Sequence, residues 1–66
     1  MEIELNGEPK QIAQQATIQD LLVELALTQK RLAIELNQQI IPRSQFEQTI
    51  LKSNDKVEVV HAIGGG

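Results

Sequence analysis

The side chains able to do chemistry in this chain are few and poorly placed for joint work. His61 is the single histidine and there is no cysteine. General-base or nucleophilic catalysis needs a second group within hydrogen-bond reach to orient or activate the first. His61 instead sits in a strand-like run, Val57-Glu58-Val59-Val60-His61-Ala62-Ile63, and reads as an ordinary strand residue. Ser44 and Ser53 fall in loop-like stretches with no nucleophile elbow around them. The carboxylates are spread over turns and polar faces, so no hard-metal cage is expected. The patterns G-x-x-x-x-G-K-[ST] and G-x-G-x-x-G are both absent, which removes two routes to nucleotide binding. What remains is on the main chain. Gly64-Gly65-Gly66 follows Ile63 directly. Read as a chain terminus, it offers a backbone carboxylate on a stalk that has no side chains. Such a stalk passes a channel too narrow for other residues and takes backbone angles they avoid. The bland alternative is a frayed end or a linker remnant. The glycines abut the strand-like run with no tag-like spacer, which makes the functional reading competitive.

Composition narrows the field further. A chain of 66 residues is one domain, and a domain of about 60 residues buries only roughly 60% of the surface its unfolded chain exposes. Such a core is too small to enclose a large active-site cavity easily, which argues against a self-sufficient enzyme. Lacking cysteine, the chain has no disulfide framework and no thiolate metal site. No apolar run approaches the roughly 20 residues needed to cross a bilayer, so no membrane partner is expected. Met1-Glu2-Ile3-Glu4-Leu5 is acidic and alternating, unlike a signal peptide. The expected location is cytoplasmic. Net charge is −3, and Phe46 is the only aromatic residue. Nucleic-acid binders of this size show a basic face, often with stacking aromatics, so no nucleic acid is expected either. The acidic balance suits docking onto a positively charged protein.

The elements that must carry the tail are legible from periodicity. Met1, Ile3 and Leu5 alternate with Glu2 and Glu4, which predicts a half-buried strand. Asn6-Gly7 predicts a two-residue hairpin turn with positive φ at both positions. A second strand over 8–12 contains Pro9, which cannot donate to a ladder and places that strand at a sheet edge. Thr17 and Asp20 form a short-armed capping box. Ile18, Leu21, Leu22 and Leu25 then make one apolar stripe of a helix ending near Leu27-Thr28. Leu32, Ile34 and Leu36 alternate again. Asn37-Gln38-Gln39 predicts a turn, Ile40-Ile41 a short strand closed by Pro42, and Ser44-Gln45-Phe46-Glu47 a capped helical turn over buried Phe46 and Leu51. Residues 53–56 read as a loop and 57–63 as the last strand. On that last strand Val60, Ala62 and Ile63 leave apolar surface near the tail, a candidate docking patch.

One hairpin, one helix and later strands predict an α+β fold, a mixed sheet with the main helix packed on one face. A parallel crossover between the first and last strands makes this the β-grasp, ubiquitin-like arrangement. The expected division is a domain over 1–63 and a glycine tail over 64–66. With this order in hand, the whole chain resembles the sulfur carrier proteins of thiamine biosynthesis, the ThiS family. The markers are the opening strand with Asn6-Gly7, the helix Thr17-Ile18-Gln19-Asp20-Leu21-Leu22, the run Leu36-Asn37-Gln38-Gln39-Ile40-Ile41-Pro42-Arg43, and Asp55-Lys56-Val57-Glu58-Val59-Val60 before the glycines. Each is weak alone; in order they are specific.

The resemblance implies a protein cosubstrate and not an enzyme. A terminal carboxylate ordinarily titrates at about pH 3.5, so at pH 7 it is an anion and a poor electrophile. An E1-like adenylyltransferase of the ThiF type would use ATP and Mg²⁺ to convert the Gly66 carboxylate to an acyl-adenylate, the carrier itself binding no cofactor. Sulfur from a cysteine desulfurase would then give a thiocarboxylate on Gly66, and a thiazole synthase of the ThiG type would accept that sulfur. Gly65 and Gly64 would thread the tail into both active sites. The minimal family signature is two glycines, so Gly64 is the less secure of the pair. Arg43 matches a recurrent family position whose role is open. Two rival readings stand beside this one: a related carrier for molybdopterin synthesis (MoaD), and a ubiquitin-like interaction module whose glycines do nothing.

Overall fold

The computed structural model describes residues 1–28 and 31–61. Its elements are β1 (Glu2–Leu5), β2 (Glu8–Gln11), α1 (Ile18–Glu24), β3 (Leu32–Leu36), β4 (Gln39–Ile41), a 3₁₀ turn (Arg43–Gln45) and β5 (Lys56–His61). The five strands form one sheet in the order β2-β1-β5-β3-β4. β5 is therefore the central strand. It runs parallel to β1 and antiparallel to β3, while β1–β2 and β3–β4 are antiparallel hairpins. This is the β-grasp arrangement expected from the order of elements, with Pro9 on the outermost strand of its side.

Both hairpin turns are built as their sequences require. Asn6 and Gly7 have φ of 49° and 84°, the left-handed pair of a tight hairpin. Asn37 and Gln38 do the same at 51° and 72°. That turn is two residues long, and Gln39, expected in the turn, is the first residue of β4.

The helix begins as predicted. Thr17 accepts from the Asp20 amide at 3.1 Å, and the Asp20 carboxylate accepts from the Thr17 amide at 3.0 Å. It ends earlier than the apolar stripe suggests, at Glu24. The Leu27 amide donates to the Leu22 carbonyl and the Ala26 amide to the Val23 carbonyl, with Ala26 at φ 59°. This is a Schellman closure with alanine where glycine is usual, so no glycine marks the stop in the sequence. The apolar series continues past it because Leu25 and Leu27 pack on the core from the cap.

The 3₁₀ turn starts one residue before the expected Ser44 cap. Pro42 precedes it in extended backbone and supplies no side-chain cap. Phe46 and Leu51 are buried, as expected.

Residues paired across a ladder share a face of the sheet. Ile3, Ile34, Val57 and Val59 are buried with Ile18, Leu21 and Leu22 of α1. Lys10, opposite Ile3, reaches Glu24 of the helix. The other face is open and carries Glu4, Glu35, Glu58, Ala33, Val60 and Ile40. Among the described residues no polar or charged side chain is buried, and no helix is long and apolar enough to cross a membrane.

Candidate functional site

The site predicted from sequence lies where the chain leaves β5. β5 is held on one side by β3 from Leu36↔Val57 to Leu32↔His61, all of its described length but Lys56. On the other side β1 pairs with it only at Glu4↔Lys56 and Leu5↔Val57. There β1 turns away at Asn6-Gly7. The Asn6 amide donates to the Val57 carbonyl at 2.9 Å, and Asn6 Oδ1 accepts from the Val59 amide at 2.8 Å. The side-chain carbonyl thus stands where the next backbone carbonyl of β1 would have been.

The start of β5 is held in the same way from the opposite edge. Asn37 Oδ1 accepts from the Lys56 amide at 3.0 Å, the Asn37 amide donates to the Lys56 carbonyl at 2.8 Å, and Asn37 Nδ2 donates to Asp55 Oδ1 at 3.0 Å. Asp55 is itself fixed: its Oδ2 accepts from the Lys52 amide at 2.8 Å, and its carbonyl accepts from the Glu4 amide at 2.9 Å. Sequence reading identified both asparagines as turn or motif residues and missed their shared task. The sequence marks each as a turn residue, and only the register of the ladders brings each against an amide of the last strand.

Val60 of the predicted docking patch is 49% exposed on the open face. Its ladder partner Ala33 is exposed, and Ile40 on β4 is exposed on the same face. Glu35 and Glu58 are directly opposite one another across β3 and β5. Ala62, Ile63, Gly64, Gly65 and Gly66, the rest of the predicted patch and tail, lie outside the described residues.

The remaining candidates stay apart. His61 is exposed at the end of β5, Ser44 is in the 3₁₀ turn and Ser53 in the loop before β5. No cluster of His, Asp and Glu able to hold a metal occurs among the described residues. Arg43 lies 5.8 Å from the centroid of the Phe46 ring. That cation–π contact gives it a structural task on the 3₁₀ turn.

Comparison with known proteins places the chain. The ThiS family model matches residues 3–66. The sulfur carrier protein ThiS of Escherichia coli (strain K12) is 36% identical over the full length of both chains. The thiazole synthase of Magnetococcus marinus is 38% identical to the whole of this chain, which spans 20% of that protein. A crystal structure of ThiS from Geobacter metallireducens superposes with a TM-score of 0.87 at 32% identity, covering all of both chains. With its β-grasp sheet, its marker runs and a match extending from the first strand through the glycines, the chain belongs to the ThiS family.

Proposed function

We propose that this chain is a protein cosubstrate that carries sulfur on its C-terminal glycine, Gly66, for the thiazole ring of thiamine. The observation that carries this reading is the family match running through Gly64-Gly65-Gly66, five residues beyond the end of a central, doubly flanked strand. A fully extended five-residue segment spans up to about 17 Å, enough to reach into a partner while the sheet stays outside.

The chemistry follows from the carboxylate. One Gly66 oxygen attacks the α-phosphorus of ATP on an E1-like adenylyltransferase, and pyrophosphate leaves with Mg²⁺. A persulfide supplied from a cysteine desulfurase then attacks the acyl carbon through its terminal sulfur and expels AMP, and a thiol cleaves the S–S bond of the resulting acyl disulfide, leaving as a disulfide with the donor's sulfur. The product is a thiocarboxylate, the sulfur donor for a ThiG-type thiazole synthase. That acceptor is supported by the Magnetococcus marinus protein, in which a segment similar to this whole chain belongs to a thiazole synthase. Joining donor and acceptor in one chain raises their effective concentration without new contacts. The same observation favours the thiazole acceptor over a molybdopterin one. No step uses a side chain of this protein.

Intact mass tests the reading. The purified protein must first show Gly66 as its terminus. Incubation with activating enzyme, ATP and a sulfur source should then exchange one oxygen for sulfur, localised to Gly66. Gly65→Val should abolish adenylation with the fold intact, because its side chain obstructs the channel. No mass change with demonstrably active enzyme, or normal adenylation of the valine variant, would refute the proposal.

The open face of the sheet, which carries Val60, is the docking surface in this reading, and Ala62 and Ile63 of the expected patch follow it in sequence. Like charges directly opposite in a ladder are destabilising, yet Glu35 faces Glu58 beside Val60. A cationic partner surface relieves that repulsion on binding. Glu58→Lys should therefore stabilise the free protein slightly while weakening binding to the activating enzyme about tenfold at low salt. Unchanged affinity by titration calorimetry would remove the open face from the interface.

A further inference from the structure

We infer that Asn6 is a positioning residue for the tail: its side-chain carbonyl sets the heading of the chain as it leaves β5. The inference rests on the sulfur-carrier reading for its consequence and on the ladder geometry for its cause. β1 stops pairing with β5 at Leu5↔Val57, two residues before Val59. The Val59 amide points toward the side β1 has vacated, because successive residues of a strand direct their backbone groups to opposite edges, so Val59 shares the edge on which the Val57 carbonyl faces Asn6. Asn6 Oδ1 meets that amide at 2.8 Å in a partly buried bond spanning 53 positions of sequence. After it, no hydrogen bond joins β1 or its turn to β5 among the described residues. The β1 edge of the strand beyond Val57 is thus governed by one side-chain atom.

The choice of residue fits the task. The first turn position needs positive φ, which Asn and Asp tolerate better than other residues with a side chain. It also needs a carbonyl short enough to replace a backbone one. Glycine satisfies the first demand and not the second. β3 alone then restrains the other edge of residues 59–61, and a strand held along one edge twists and frays more freely. Fraying there lowers the fraction of molecules whose tail starts in the binding-competent direction, which raises the apparent dissociation constant by the inverse of that fraction.

The test uses the full chain and three variants. Asn6→Gly keeps the turn and removes the acceptor; Asn6→Asp keeps both the turn and an acceptor oxygen. Thr17→Ala removes the helix cap and supplies a comparable loss of global stability away from β5. In Asn6→Gly, amide exchange at Val59, Val60 and His61 should quicken about three- to tenfold more than in the rest of the sheet. KM for adenylation should rise by a similar factor with kcat unchanged, Asn6→Asp should restore both, and Thr17→Ala should leave KM alone. Uniform exchange across the sheet in Asn6→Gly, or an equal rise in KM for Thr17→Ala, would overturn the inference by reducing Asn6 to a stability residue. If the wild-type protein is not adenylated at all, the sulfur-carrier reading fails, and the exchange measurement still decides what Asn6 does to the strand.

Discussion

The two hairpins of this small sheet make an instructive pair. Each flanks the central strand, each turns through two residues with positive φ, and each opens on an asparagine whose Oδ1 accepts an amide of β5. They differ in where they grip and how redundantly. The Asn37 turn holds the first residue of β5 through a side-chain bond, a backbone bond and a link to Asp55, which is itself tied to Lys52 and β1. The Asn6 turn holds the later part of the strand through a single side-chain bond beyond Val57. The same local device anchors the strand at its origin and steers it at its exit. An anchor must survive fluctuation, so it is built from several bonds. A steering contact has only to bias a direction, and one bond suffices.

The sharpest way to break this comparison is Asn37→Gly. Glycine keeps φ near 51° without strain, so the loss isolates the side chain. Two hydrogen bonds disappear, to Lys56 and Asp55, each exposed and each contributing about 0.5–1 kcal/mol. The expected cost is about 1–2 kcal/mol in urea unfolding. A 66-residue domain at roughly 0.05–0.15 kcal/mol per residue has only about 3–10 kcal/mol in hand, so the shift in midpoint will be plain. The loss should appear as global destabilisation, with amide exchange raised evenly through the sheet, in contrast to the local effect predicted for Asn6→Gly. If exchange instead rises only at Lys56 and Val57, the Asn37 turn is no more a global anchor than its partner.

How these two turns were legible in the sequence differs in the same instructive way. Asn6-Gly7 declares its turn outright because glycine at a positive-φ position is a strong signal, and the strand before it alternates cleanly. Asn37-Gln38 declares a turn without declaring its length, since Gln38 is a poor choice for φ 72° and Gln39 is polar but exposed on a short edge strand. The helix stop was illegible for the same reason: Ala26 occupies a glycine position, and Leu27 continues the apolar series from outside the helix. Periodicity reports which residues are buried, and it reports element ends only when a residue with special backbone freedom stands there. The site followed this rule too. The central place of β5 was deducible from a crossover between the first and last strands. The carbonyl supplied by Asn6 was not, because it depends on β1 ending two residues short of Val59. That mismatch exists only once the ladders are in register.

Gln38→Gly gives the smallest expected effect and the finest test of the pairing between turns. A residue with a side chain held in the left-handed region costs about 1–2 kcal/mol relative to its preferred backbone. Gln38 sits there at φ 72° while the equivalent position in the other turn is Gly7 at φ 84°. Replacing Gln38 by glycine relieves that strain, offset by roughly 0.5–1 kcal/mol for the greater freedom of glycine in the unfolded chain. The net expectation is a stabilisation of about 0.5–1 kcal/mol, a rise in Tm of roughly 2–8 °C for a domain of this size. Adenylation should be untouched, because the Asn37 bonds to β5 need no side chain at Gln38. A fall in Tm would mean that Gln38 makes a contribution in the folded state larger than its backbone strain, and the two turns would then be alike in shape only.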